Sequence, residues 1–280
     1  MKNIFSRMPK KVLVVIASLV ATFGIATAVT AWFPERPTYT IENPAPHVTF
    51  NSITNNPNEG DERAFFELKD ATNTQPNGFS HTMNDLKGGQ ELLLRMYVHN
   101  NAADNLNTVP DGQGGFKGIA RNTKVRVFLP TATDQTALRA NAYISADNAT
   151  PREVADTINL GSNTPFGVEY VPGSAVIHTN AVPAGMALSD SIVTTGAPIG
   201  YNQLDGKMPG CFQYSAIVTI KVKVKAPRYT IAKQVRFAGQ TAADWKESVT
   251  AKPGDKLEWS IKFRNTGSTQ LKDVKSVDEV

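Results

Sequence analysis

"YSAIVTIKVKVK", residues 214–225, is apolar at every second position. Tyr214, Ala216, Val218, Ile220, Val222 and Val224 fall on one side of an extended chain, with Lys221, Lys223 and Lys225 on the other. Only a strand buries a period of two coherently. The stretch is therefore expected to be a half-buried strand with its lysines in solvent, a placement that also discourages edge-to-edge pairing. Alternating or β-branched runs at 91–99, 124–129, 137–145, 153–160 and 175–178 predict further strands. Clusters such as "VPDGQGG", "LPTATD", "VPGS" and "KMPG" supply turn chemistry between them. The Ala-rich "ALRANAYISA" resembles a helix in composition, yet Leu138, Ala140, Ala142, Ile144 and Ala146 step by two, so it too reads as strand. Many short strands without a long amphipathic helix predict an all-β sandwich or barrel.

The amino terminus has a different character. Lys2, Arg7, Lys10 and Lys11 precede an uncharged run from Val12 to Ala31, with small residues at Val29-Thr30-Ala31. Residues 1–31 read as a hydrophobic helix that is either a cleaved export signal or a retained membrane anchor. In both readings the basic residues stay inside and the chain beyond Pro34 lies outside the cell. Any membrane contact is then confined to residues 12–31. The chain has 29 Lys plus Arg against 25 Asp plus Glu, and all four surplus charges lie in this segment. The remainder is neutral, so the pI near 9.0 carries no basic footprint for nucleic acid. The single cysteine, Cys211, has no partner for an intrachain disulfide, and stability must come from apolar burial.

An internal repeat organises the rest. "KGGQELLLRMYVHNNAADNLN" (87–107) overlays "KPGDKLEWSIKFRNTGSTQLKD" (252–273) at a constant offset of 165. Lys87, Gly89, Leu92, Asn100 and Leu106 meet Lys252, Gly254, Leu257, Asn265 and Leu271, and apolar Met96 and Val98 meet Ile261 and Phe263. The glycine supplies the permissive dihedral of an entry turn, and the asparagine sits where its short amide can bond the backbone of the next turn. The expected organisation is a Pro-rich linker at 32–45, a sandwich over 46–226, a boundary at Ala226-Pro227-Arg228, and a second, incomplete copy over 227–280. Tyr229 to Val280 is only 52 residues, where a seven-stranded sandwich uses about 100. Either the chain continues beyond Val280 or a partner supplies the missing strands.

The segment "KPGDKLEWSIKFRNTGSTQLKDVKSVDEV" resembles the bacterial surface repeat known as domain of unknown function eleven, with Pro253-Gly254-Asp255, the aromatic strand through Trp259, Ile261 and Phe263, then Asn265-Thr266-Gly267, and Asp278 in its last place. Residues 40–226 look like a divergent relative, through "NPNEGDERAFF", "MYVHNNAADNLN", "VRVFLP" and "VEYVPGS". The resemblance implies tandem Ig-like units of a bacterial cell surface, structural or adhesive, without catalysis or cofactor.

Stretches that imitate catalytic motifs fail on chemistry. "GYNQLDGKM" (200–208) is a phosphate-loop imitation with the wrong glycine spacing, and Pro209 blocks the helix that such a loop needs. His47, His81, His99 and His178 lack metal-ligand spacing. His99 shares a face with Arg95 and Tyr97, opposite Met96 and Val98, and this face is expected to be an exposed contact surface. "NNPNEGDER" (55–63) reads as a solvated turn, or as a source of oxygen ligands for calcium. The insertion 107–123, "NTVPDGQGGFKGIARNT", with Phe116, Lys117 and Arg121, is either a binding loop or a spacer. Function thus reads as a non-catalytic surface element. The alternatives are an extracellular binding module for a glycan or a host protein, or the stalk of a secreted enzyme whose catalytic part lies beyond Val280; the partner would be a glycan or another surface protein.

Overall fold

The alternating stretch becomes an interior strand in the computed structural model, which describes residues 32–267 together with Thr269, Leu271, Val274 and Lys275. Twelve strands are present among these residues, and the remaining regular structure consists of four short 3-10 turns. In chain order they are β1 (Phe66–Asp70), β2 (Thr82–Met83), β3 (Glu91–Val98), β4 (Lys124–Phe128), β5 (Gln135–Ser145), β6 (Glu153–Tyr170), β7 (Val176–Thr179), β8 (Met186–Ala187), β9 (Ala197–Pro198), β10 (Ala216–Lys225), β11 (Tyr229–Phe237) and β12 (Leu257–Asn265). The described residues are all-β, as the alternation predicts. The expected helix over 1–31 and Asp278 lie outside the described residues, and no described helix is long and apolar enough to cross a membrane.

Ten strands make one sheet system: seven follow the order β1-β3-β10-β6-β5-β4-β9, while β2 pairs with β6, β7 with β10, and β8 with β7. β10 lies antiparallel to β3 along one edge, from Ala216↔Val98 to Lys223↔Glu91. Along its other edge it pairs first with β7 and then with the end of β6. Ala216, Val218, Ile220, Val222 and Val224 are buried, while Lys221 and Lys223 are exposed. The lysines therefore line the solvent face of a central strand and not an edge. The strand begins two residues later than its alternation predicts, because Phe212–Tyr214 close into a 3-10 turn.

β6 is the hinge of the architecture. Its first part pairs β5 from Ser145↔Glu153 to Ala137↔Gly161, and its last part, Gly167–Tyr170, pairs β10. A bulge at Gln135/Ala137 marks the change of partner, as expected where a strand passes between two packed sheets. Pro165, which has no N–H to give to a ladder, sits in this crossing. Phe50, Phe66, Phe166, Leu94, Ile144 and Ile177 from both halves bury together in one apolar cluster, a β-sandwich-like interior. Asp156 on β6 accepts the Phe66 amide of β1 at 2.8 Å and ties the halves directly. The stretch 32–45 is bonded to the body along its length: Phe33 exchanges backbone bonds with Ala155, and Ala45 donates to Asn101 at 2.9 Å.

β11 and β12 form a separate two-stranded sheet, and this sheet repeats the unit built by β1 and β3. Leu68 exchanges backbone bonds with Ser80, and Val235 does so with Lys246. The Ala71 amide donates to Glu91, and the Ala238 amide to Lys256. The entry turn recurs with its side-chain bond: Lys87 N donates to Gln90 Oε1 at 3.1 Å, and Lys252 N to Asp255 Oδ2 at 2.7 Å. Gly89 and Gly254 both carry a left-handed φ, +91° and +97°, which a glycine adopts without penalty. Both exit turns are closed by asparagine: Asn100 Oδ1 accepts the Ala102 amide at 3.2 Å and Asn265 Oδ1 the Gly267 amide at 3.0 Å. A cation over a ring recurs as well, Lys69 over Phe79 and Arg236 over Trp245, each at 4.4 Å.

Candidate functional site

The insertion 107–123 is built around one carboxylate. Asp111 Oδ1 accepts the amides of Gln113 at 2.7 Å and Gly115 at 2.9 Å, so the acidic side chain folds its own glycine-rich turn. Arg121 Nη1 pairs with Asp111 Oδ2, and Arg121 Nη2 donates to Gln113 Oε1 at 3.0 Å. The Gln113 and Gly115 amides, with Arg121 beside them, hold the Asp111 carboxyl below the usual carboxylate range. A short bridge between Pro110 and Phe116 completes the turn.

The base of the loop is anchored to the core. The Gly118 amide donates to Leu106 O at 2.9 Å, and Asn100 Nδ2 donates to Gly118 O at 2.8 Å. A Cβ at Gly118 would stand 2.7 Å from Asn107 N and Leu106 C, so this approach requires glycine. Asn148 bonds both sides of the loop's return, accepting Arg121 N and donating to Ile119 O, each at 2.9 Å.

Between the loop and residues 46–48 lies a shallow polar depression of about 240 Å³, lined among others by His47, Asp111, Gln113, Lys117, Arg121 and Asn148. Of the three residues singled out in the sequence, Lys117 and Arg121 meet here, while Phe116 stands outside the lining, 42% exposed. The Arg121 charge is committed to Asp111. Lys117 has no ion pair among the described residues, whereas the Asn148 amide is engaged with Arg121 N and Ile119 O and Gln113 Oε1 with Arg121. The arrangement suits a hydroxylated or anionic surface group, held by the Lys117 cation.

A second cluster was not legible in the sequence. The face of β3 carrying Arg95, Tyr97 and His99 is not an exposed contact surface: Tyr97 and His99 are buried beneath the segment 45–63. Arg95 grips Glu59 with both terminal nitrogens, Nη1 to Oε2 at 2.8 Å. Glu62, fully buried, accepts His99 Nδ1 at 2.8 Å, Asn56 Nδ2 at 2.7 Å and Asn101 Nδ2 at 2.8 Å. Asn51, at a left-handed φ of +47°, accepts the His99 amide and donates to the carbonyls of Glu62 and Tyr97. Burial, joined by the Glu62 charge, pushes the Tyr97 phenol above its ordinary pKa. Within "NNPNEGDER" residues 57–59 do form a turn, with Asn55, Pro57, Asn58 and Gly60 exposed, but Asn56 and Glu62 are core groups whose acceptors are taken up by protein donors. With Glu62 and His99 at 0% and 1% side-chain exposure, the pair has no approach for a substrate and acts as a buried clasp. The only hints in the sequence are the asparagines at 55, 56, 58, 100 and 101, a residue type that bonds backbone when buried.

No family model, curated protein or solved structure matches this chain.

Proposed function

We propose that this chain is a bacterial surface protein of tandem Ig-like sandwiches, carried out of the cell by residues 1–31 and serving as a structural or adhesive element. The observation that supports this reading is the recurrence of one strand–turn–strand unit, down to its glycine turn, its asparagine cap and its cation–ring contact. Duplicated β units joined at a short proline linker suit an extended, load-bearing array. Brief protease treatment of intact bacteria producing residues 1–280 tests the location. Cleavage of the chain without lysis is expected, and protection until the cells are broken would remove the surface assignment.

The polar depression supports a binding role within the same reading, toward a glycan or another surface protein. Deleting residues 110–119 removes Asp111 and Lys117 but also Gly118, a partner of the buried Asn100, so a Lys117→Ala variant is measured beside the deletion. A fall in attachment of cells displaying the protein is expected, and unchanged attachment would exclude the loop as the contact.

A further inference from the structure

In the first copy of the repeated unit, β3 has a neighbour on each side, with β1 on one edge and β10 on the other. In the second copy β12 has β11 on one edge, and no strand among the described residues pairs with the other. The free edge presents hydrogen-bonding groups. Val235 exchanges both backbone bonds with Lys246, so its N–H and C=O point away from β12. Antiparallel alternation then turns the N–H groups of Leu257, Trp259, Ile261 and Phe263 outward, away from β11. Their counterparts in the first copy, Leu92, Leu94, Met96 and Val98, face β10 and are opposed by Val222, Ile220, Val218 and Ala216.

The side chains agree with the backbone. Leu92, Leu94, Met96 and Val98 are at most 2% exposed, whereas Trp259 is 54%, Ile261 36% and Phe263 41% exposed, with Tyr229 and Ile231 open beside them. Val235 alone on this face is buried, at 1%, as is its counterpart Leu68. These exposed apolar side chains, with Lys233 among them over the Trp259 ring at 4.6 Å, stand beside a sheet edge that a further strand can join.

We propose that the outer edge of β12 docks an antiparallel strand with the chemistry of β10, in which aliphatic residues lie opposite Leu257, Trp259, Ile261 and Phe263 and polar residues alternate with them. The internal repeat defines this occupant, because β10 performs that role for the equivalent strand. Carried over at the offset of 165, its register sets Val222, Ile220, Val218 and Ala216 against those four residues, and Lys221 against Glu258. Lys223, which faces Glu91 in the first copy, would face Lys256. The preferred strand therefore carries a cation opposite Glu258 and an acid opposite Lys256. This is strand addition, in which main-chain bonds give affinity and alternate side chains give selectivity. It rests on the geometry of the repeat and not on the surface role, so either can fail without the other.

A synthetic peptide of residues 214–226 serves as the probe for the full chain. Saturating peptide is expected to slow amide hydrogen exchange at Leu257, Trp259, Ile261 and Phe263 at least tenfold, with Leu92, Leu94, Met96 and Val98 unchanged. Tryptophan emission is expected to move to shorter wavelength, and a Trp259→Phe chain is expected to lose that shift while keeping the slowed exchange. A peptide with Asp in place of Val218 and Ile220 is expected to do neither. Unaltered exchange along β12, or slowing at β3 in its place, would overturn the proposal. So would a dimer that protects β12 without peptide, which would make a second copy the occupant.

Discussion

His99 Nδ1 lies 2.8 Å from Glu62 Oε1, with both side chains out of contact with solvent. Two elements far apart in sequence, the loop before β1 and the end of β3, are joined by this bond. Asn56 and Asn101 complete the carboxylate's shell. Glu62→Ala removes the acceptor shared by three buried donors, and the expected loss is about 2–4 kcal/mol of folding stability, because each buried donor left unsatisfied costs about 1–3 kcal/mol. Urea denaturation of the purified variant measures it, and a loss under about 1 kcal/mol would mean that the clasp is ornamental.

The two asparagines of the repeat should differ in cost. Asn100 is buried, and its amide also donates to the carbonyls of Gly118 and Met208 at 2.8 and 2.9 Å. Asn265 is exposed and donates to Thr269 O. Asn100→Ala is expected to destabilise by about 2–3 kcal/mol, since it strips partners from buried backbone groups. Asn265→Ala is expected to cost under about 1 kcal/mol, because water replaces what is lost. Equal costs in thermal melts would contradict the difference in burial.

Asp156 and Asp111 should respond to acid with opposite signs. Burial raises the Asp156 carboxyl, against the opposing amide bonds from Phe66 and Thr157. Its folded form thus binds a proton more readily than the unfolded chain, so its contribution is favourable in acid. That contribution fades as pH rises from about 3.9, the unfolded value, through the raised folded value. Asp111 is depressed by the Gln113 and Gly115 amides and by Arg121. Its contribution is present above the unfolded value and is lost as pH falls through the folded one. Against the parent, the Asp156→Asn difference should therefore change as pH rises above about 3.9 and the Asp111→Asn difference as pH falls below it, with opposite signs. Parallel curves would refute the assignment.

Gly118→Ala tests the anchoring of the insertion. The added methyl would meet main-chain atoms of Leu106 and Asn107 that cannot yield cheaply. A loss of about 1–3 kcal/mol is expected, as for overpacking elsewhere, with faster exchange of the Asp111–Arg121 amides. Gly114→Ala has open space around it, although its φ of +83° strains the new residue. Its effect should stay local to the loop tip. If both variants leave exchange at Leu106 and Gly118 unchanged, the loop base is not held as described.

Much of the architecture is legible from alternation, because β3, β4, β5 and β10 each bury one face against the common interior. β1 escaped notice because "FELKD" does not alternate cleanly, and its relation to β11 is structural. The two strands share an apolar residue at Leu68/Val235 and a cation at Lys69/Arg236, at an offset of 167 in place of 165. β6 outruns its expected end at 160 because Gly161 and Pro165 look like a turn, whereas they lie where the strand exchanges partners. Lys117 and Arg121 could be found by their loop's composition, but the ion pair that spends Arg121 could not. The Glu62 clasp was hidden for a different reason: a polar cluster is buried only when distant segments supply its donors, and one-dimensional pattern carries no sign of that.

The account turns on one unit appearing twice, with β3 paired on both edges in the first copy and β12 paired on one edge among the described residues in the second. Residue-resolved amide hydrogen exchange of the chain by itself tests this most directly. Leu92, Leu94, Met96 and Val98 are expected to exchange slowly. Along β12, slow exchange at Ser260 and Lys262 should alternate with fast exchange at Trp259, Ile261 and Phe263. Uniformly slow exchange along β12 would show that its outer edge is already paired, and uniformly fast exchange would show that the β11–β12 hairpin does not form; either result would contradict the account.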